Sequence, residues 1–206
     1  MPDPTAADLT VHSADGTPIA VFRSGDPAGL PVLLVHGAAA DHTTFRVVGP
    51  LLGQSFEVYA MDRRGRGASG DTAPYAIERE FEDVAAVAGA IAQERGIPTI
   101  DVVGHSYGGR CALGAALLTP SIGRVVAYEG APTPPGDRYG DDALATELTR
   151  LADAGRGEIL LETFMTRVVG MTPDELAAYR ADPIWPRRVA AGPTIARELA
   201  VEASEG

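Results

Sequence analysis

Near the amino terminus, apolar and polar residues alternate at Leu9 and Val11 and again at Ile19 and Val21, on either side of Asp15-Gly16. Alternation flanking Asp-Gly predicts a β-hairpin, because that pair accepts the turn whose twist matches two antiparallel strands. The pattern then changes. Pro31 to Val35, Phe56 to Met61, Thr99 to Val103 and Arg124 to Tyr128 are short runs dominated by branched and aromatic residues. Runs of this length without alternation predict strands buried on both faces, as in a parallel sheet. Between them, Phe81, Val84, Val87, Ala88 and Ile91 recur at helical spacing over 77–94, and Gly96 and Pro98 close that helix. Residues 107–118 read as a second helix, rich in small residues and suited to close packing on a sheet. Strands alternating with helices imply a mostly parallel sheet covered on both faces.

The character of the chain shifts after Ala131. Pro132, Pro134, Pro135 and Gly136 read as a linker, and no strand pattern follows. Helical pieces are expected instead at about 141–154, 156–169, 173–180 and 193–203, with Thr172-Pro173 starting the third. The expected organisation is an α/β core over 1–132 and a helical segment over 133–206.

Composition narrows the function. The 206 residues carry 17 Lys+Arg against 28 Asp+Glu, a net charge of −11, and no lysine at all. Nucleic acid and anionic membranes both call for a basic face, so neither is an expected partner. No apolar stretch is long enough to span a bilayer, and the start Met1-Pro2-Asp3-Pro4 lacks the features of a signal peptide, so the expected location is cytoplasmic. The single Cys111 excludes an internal disulfide and makes no zinc site alone, and neither a metal nor a cofactor is expected.

The residues that carry chemistry lie at strand ends. Gly104-His105-Ser106-Tyr107-Gly108 is G-x-S-x-G placed between an expected strand and an expected helix. A serine on so sharp a turn brings backbone too close for side chains, hence the glycines, and the next helix aims its N–H groups at developing negative charge. His36-Gly37-Ala38 follows the first buried strand, where the N–H of Ala38 together with that of Tyr107 would make a two-donor oxyanion hole. Asp62 to Ser69 has the form D-x-R-G-x-G-x-S.

By these three motifs the chain resembles the α/β-hydrolase superfamily. The resemblance implies a three-layer, mostly parallel sheet with about six of the usual eight strands and a helical cap at the carboxyl end. It also implies a sheet order 1-2-4-3-5-6, with the strands at 31–35 and 99–103 adjacent. Serine at 106, where relatives acting on carbon–halogen bonds or epoxides carry Asp, points to the esterase-like branch. The implied activity is serine-nucleophile hydrolysis of a small, mainly apolar ester, thioester or lactone. Glu129, at the end of the sixth strand, is a candidate triad acid, with the alternative that it only links core to cap. Asp62 and Arg64 are expected to hold their loop.

The histidine that completes such a triad has no place in this sequence. The four histidines are His12, His36, His42 and His105, and none follows Ser106. His36 is expected to support the oxyanion loop, His105 to turn away from Ser106 into the sheet top, His42 to face the pocket or cap a helix, and His12 to be solvated. Catalysis is therefore expected to be impaired. Three readings stay open: a shortened hydrolase, a protein that binds a small molecule without turnover, and a subunit completed by a partner chain. The strand near 124–128 is the expected site of self-association or of such a partner.

Overall fold

A computed structural model describes residues 6–130 and 141–204 of the chain. The linker expected at 132–136 lies outside the described residues. The chain divides into two compact units: residues 1–37 with 41–131, and residues 38–40 with 132–206.

The first unit is a six-stranded sheet of order β1-β2-β4-β3-β5-β6. β1 (Leu9–His12) and β2 (Pro18–Gly25) form the hairpin, with Val11 opposite Ile19. β2 also runs antiparallel to β4 (Phe56–Met61). β3 (Leu30–Val35), β4, β5 (Ile100–His105) and β6 (Ile122–Tyr128) are parallel, and Val35 sits beside both Met61 and Gly104. Residues 31–35 are all buried, which explains their unbroken apolar run. The carboxyl ends of β3, β4 and β5 thus come together, the place where open α/β sheets hold ligands.

Three details differ from the sequence reading. β5 runs through Gly104 and His105, so the turn begins at Ser106 itself. α1 (Val48–Leu52) is too short to show a period in the sequence. β6 is not a strand buried on both faces: it pairs with β5 alone among the described strands, and Val126 and Tyr128 are 56% and 61% exposed. Its apolar run alone suggests burial on both faces, whereas its place at the edge of the sheet is the one that the family's strand order implies.

α2 (Ile77–Arg95) carries acidic groups in its first turn and ends at Gly96, whose φ of 65° is the left-handed cap expected there. Its buried face includes Ile77, Glu80, Asp83, Val84, Val87 and Ile91, so two carboxylates share the apolar stripe. α3 (Tyr107–Ala116) starts at the serine.

The second unit contains α4 (Asp142–Asp153), α5 (Gly157–Arg167), α6 (Pro173–Arg180), α7 (Trp185–Ala191) and α8 (Pro193–Ser204). Leu148, Leu160, Leu161 and Ile195 form its core with Ala39. Residues 38–40, expected within the α/β core, group with these helices because small apolar side chains fit among the leucines. Thr172 and Glu175 cap α6 reciprocally. α7 was not foreseen, since seven residues with a proline in the first turn give little periodicity.

Candidate active site

The site is built where β5 meets α3. Ser106 has φ 52° and ψ −126°, a conformation that costs a non-glycine residue of order 1–3 kcal/mol and persists only where its surroundings impose it. Those surroundings are backbone. A Cβ at Gly104 would lie 2.4 Å from the Gly108 carbonyl oxygen, and one at Gly108 would lie 2.4 Å from those of Val35 and His36. Both glycines are therefore required by close approach. The Ser106 N–H donates to the Tyr128 carbonyl at 2.8 Å, which ties the elbow to the end of β6. Tyr107 opens α3, so its N–H lies in the first turn, where N–H groups have no acceptor within the helix itself.

Gly37 lies against the serine: a Cβ built there would come within 3.0 Å of Ser106 Cβ. The segment after β3 that leads into Ala38 therefore passes directly by the elbow. The Gly37 carbonyl accepts from His36 Nδ1 at 2.9 Å and from Arg63 Nη1 at 3.1 Å. His36 is fully buried, and its Nε2 accepts from the Arg63 N–H at 3.1 Å. That bond leaves the proton on Nδ1, so both ring nitrogens are engaged and the ring is neutral. Burial, with Arg63 and Arg66 nearby, pushes its pKa well below the ordinary histidine range.

Below this loop lies a buried ionic network that the sequence reading missed. Arg63 Nε and Nη2 each donate to Glu80 at 2.6 Å, and both side chains are 1% exposed. Tyr75 Oη donates to Glu80 at 2.8 Å and lies 3.0 Å from Tyr107 Oη. Burial raises the Glu80 pKa, but Arg63 and Arg66 outweigh it and hold the carboxyl down to about 2. Arg64 forks onto Asp83 at 2.7 Å and reaches Asp15 at 2.9 Å. Glu80 could have been found from the sequence: it occupies the 77-80-84-87-91 stripe, where a charge needs a buried partner.

Asp62 has the structural role expected of it. Its carboxylate accepts from the Ala68 N–H at 2.8 Å, the His42 N–H at 2.7 Å and His42 Nδ1 at 2.8 Å. The His42 ring also stacks on Phe22 at 3.5 Å. Oxygen and nitrogen atoms of Asp41, His42 and Asp62 lie within 4.8 Å of one another. Asp41 already accepts from the Thr43 N–H at 2.9 Å, and both Asp62 oxygens have N–H donors, so the cluster fits a hydrogen-bonded turn rather than a cation.

The remaining candidates sit at the rim. Glu129 follows β6 with φ 54°, and its side chain is 67% exposed. The His105 side chain is 43% exposed, with Nε2 3.8 Å from Glu129 and its ring 5.7 Å from that of Tyr128. His12 is on the hairpin, with Nδ1 3.1 Å from the Gly16 carbonyl oxygen.

Comparison with known proteins agrees with this geometry. A family model described as "Alpha/beta hydrolase family" matches residues 32–205. An α/β hydrolase from Sphaerobacter thermophilus superimposes with a TM-score of 0.80 at 39% identity, over 94% of this chain and 73% of that one. N-formylmaleamate deformylase of Pseudomonas putida is 30% identical over 172 residues, 82% of this chain and 58% of its own. A protein named "Probable oxidoreductase EphD" from Mycobacterium tuberculosis is 35% identical over 111 residues, 52% of this chain. The chain thus spans 18% of the length of EphD and somewhat more than half that of the deformylase. The elbow at Ser106, the loop at His36-Gly37 and the sheet order, together with a family match over most of the sequence, make this chain a member of the α/β hydrolase family.

Proposed function

We propose that the chain carries the nucleophile and oxyanion machinery of a serine hydrolase acting on a small, mainly apolar ester, thioester or lactone. The observation that carries this reading is the strained backbone of Ser106 at the mouth of α3, packed against Gly37. In the proposed reaction Ser106 Oγ attacks the carbonyl carbon and the carbonyl electron pair moves to oxygen. The N–H groups of Ala38 and Tyr107 receive that oxyanion, and the serine proton passes to a base.

We further propose that turnover by these 206 residues alone is impaired. Both nitrogens of His36 are spent inside the core, and His42 Nδ1 is spent on Asp62. A serine hydroxyl without a base is a weak nucleophile, and precedent puts the loss at about 10⁶ in kcat with about 10³–10⁴ over water surviving. A segment outside these residues, on the same chain or a partner's, would supply the base. A single cysteine, Cys111, leaves no internal disulfide and is compatible with the proposed placement in the cytoplasm. No helix of the described residues is long and apolar enough to cross a membrane.

A second reading rests on His105 and Glu129, an acid–histidine pair at 3.8 Å on the residue before the nucleophile. If that pair serves as the base, the chain is active alone. Hydrolysis of p-nitrophenyl acetate separates the two. The first reading expects a slow rate that Ser106→Ala lowers only modestly. A fast rate abolished by Ser106→Ala and by His105→Ala would establish the second.

A further inference from the structure

The peptide bond between Gly37 and Ala38 is the part of the proposed oxyanion hole with the least intrinsic restraint. Glycine gives it the widest backbone freedom and no side chain to anchor it. Its carbonyl nevertheless has two fixed donors, His36 Nδ1 at 2.9 Å and Arg63 Nη1 at 3.1 Å. A trans peptide is planar, with C=O and N–H pointing oppositely, so fixing the oxygen also fixes the direction of the Ala38 N–H.

We propose that Arg63 is a positioning residue whose guanidinium clamps the Gly37–Ala38 peptide and thereby aims the Ala38 N–H at the reacting oxygen; this rests on the reading of Ala38 as an oxyanion donor. Three further observations fit a clamp. The guanidinium is itself locked by the two 2.6 Å bonds to Glu80, so its remaining nitrogen has one direction to point. The Arg63 N–H bonds His36 Nε2 and so sets the tautomer that makes Nδ1 the second donor to the same carbonyl. The guanidinium carbon also lies 4.7 Å from the centre of the Tyr107 ring, and Tyr107 Oη reaches Tyr75, which returns to Glu80. One ion pair therefore braces both segments that supply the proposed donors. Arg63 occupies the x of the D-x-R motif, whereas Arg64, the motif's arginine, serves Asp83 and Asp15. A lysine could neutralise Glu80 but could not hold that fork and the Gly37 carbonyl together.

The test compares Arg63→Lys with Glu80→Gln in the full chain by two readouts. The first is kcat and KM for the Ser106-dependent part of p-nitrophenyl acetate hydrolysis. The second is the position of the Ala38 amide cross-peak in a 1H–15N spectrum, which needs no turnover. Arg63→Lys is expected to lower kcat by about 10- to 100-fold with KM nearly unchanged, since a small misplacement of a donor is costly, and to move the Ala38 cross-peak. Glu80→Gln loosens the fork but leaves a guanidinium to reach Gly37, so kcat should fall less than in Arg63→Lys and the Ala38 cross-peak should move by a smaller amount. If Arg63→Lys fails to fold, Arg63→Met/Glu80→Gln, which removes the pair together, is measured in the same way and should behave like Arg63→Lys. An Ala38 cross-peak unmoved by loss of Arg63, or a kcat falling equally in both single variants, would overturn the clamp. Absence of any Ser106-dependent rate in the wild type would count against the hydrolase reading, while the amide readout would still decide the clamp.

Discussion

Glu80→Gln also reports how strongly the buried network holds the fold. The carboxylate is 1% exposed and accepts both fork bonds of Arg63 and the hydroxyl of Tyr75. Lowering the Glu80 pKa from its ordinary 4.5 to about 2 corresponds to about 3 kcal/mol of stability at neutral pH. That agrees with the ~3–5 kcal/mol typical of breaking a buried pair, and is a large part of the ~5–15 kcal/mol that holds a domain folded. The sign follows from the depressed pKa: the contribution is complete above 4.5 and disappears as pH falls towards 2. Glutamine does not titrate. Urea unfolding of wild type and Glu80→Gln should therefore differ by about 3 kcal/mol at pH 7 and converge steadily below pH 4.5. A difference that stays constant across that window would show that glutamine loses packing or hydrogen bonding and not the ion pair, and would refute the reasoning.

Other expectations follow from single features. His36 should stay neutral with its proton on Nδ1 from pH 8 to 5, seen in long-range 1H–15N spectra, because burial pushes its pKa well below 6.5; a titration near 6.5 would contradict the buried tautomer. Its depressed pKa also means that its contribution to stability is complete above 6.5 and declines as pH falls below it, adding up to about 1.4 kcal/mol per pH unit to the slope in urea. Gly108→Ala should cost about 1–3 kcal/mol or more in urea unfolding, since its Cβ would meet two carbonyl oxygens. The edge of β6, with Val126 and Tyr128 exposed, should pair copies of the chain at micromolar concentration, and Val126→Lys should shift sedimentation towards monomer; identical monomers for both would remove that expectation.

The elements legible in the sequence are those whose pattern has one physical meaning. The hairpin at Asp15-Gly16, the buried run at 31–35 and the helix ended by Gly96 stand where periodicity and turn chemistry put them. The resemblance supplied the sheet order, and the structure has it. The elbow was legible because its glycines are steric requirements. What escaped was long-range. The partner of Arg63 lies 17 residues away on α2, and that of His42 lies 20 away at the end of β4, so no local pattern announces either bond. The exposure of β6 was legible only through the resemblance: strand composition reports apolarity, while burial depends on what lies beyond the edge.

Ser106 is proposed to be a positioned nucleophile without a base among these residues. Incubation with a fluorophosphonate probe, followed by intact mass and peptide mapping, tests it most directly. Slow, substoichiometric labelling confined to Ser106 is expected, rising by orders of magnitude when a segment carrying an acid and a histidine is supplied. Rapid stoichiometric labelling of the chain alone, lost in Ser106→Ala, would contradict it.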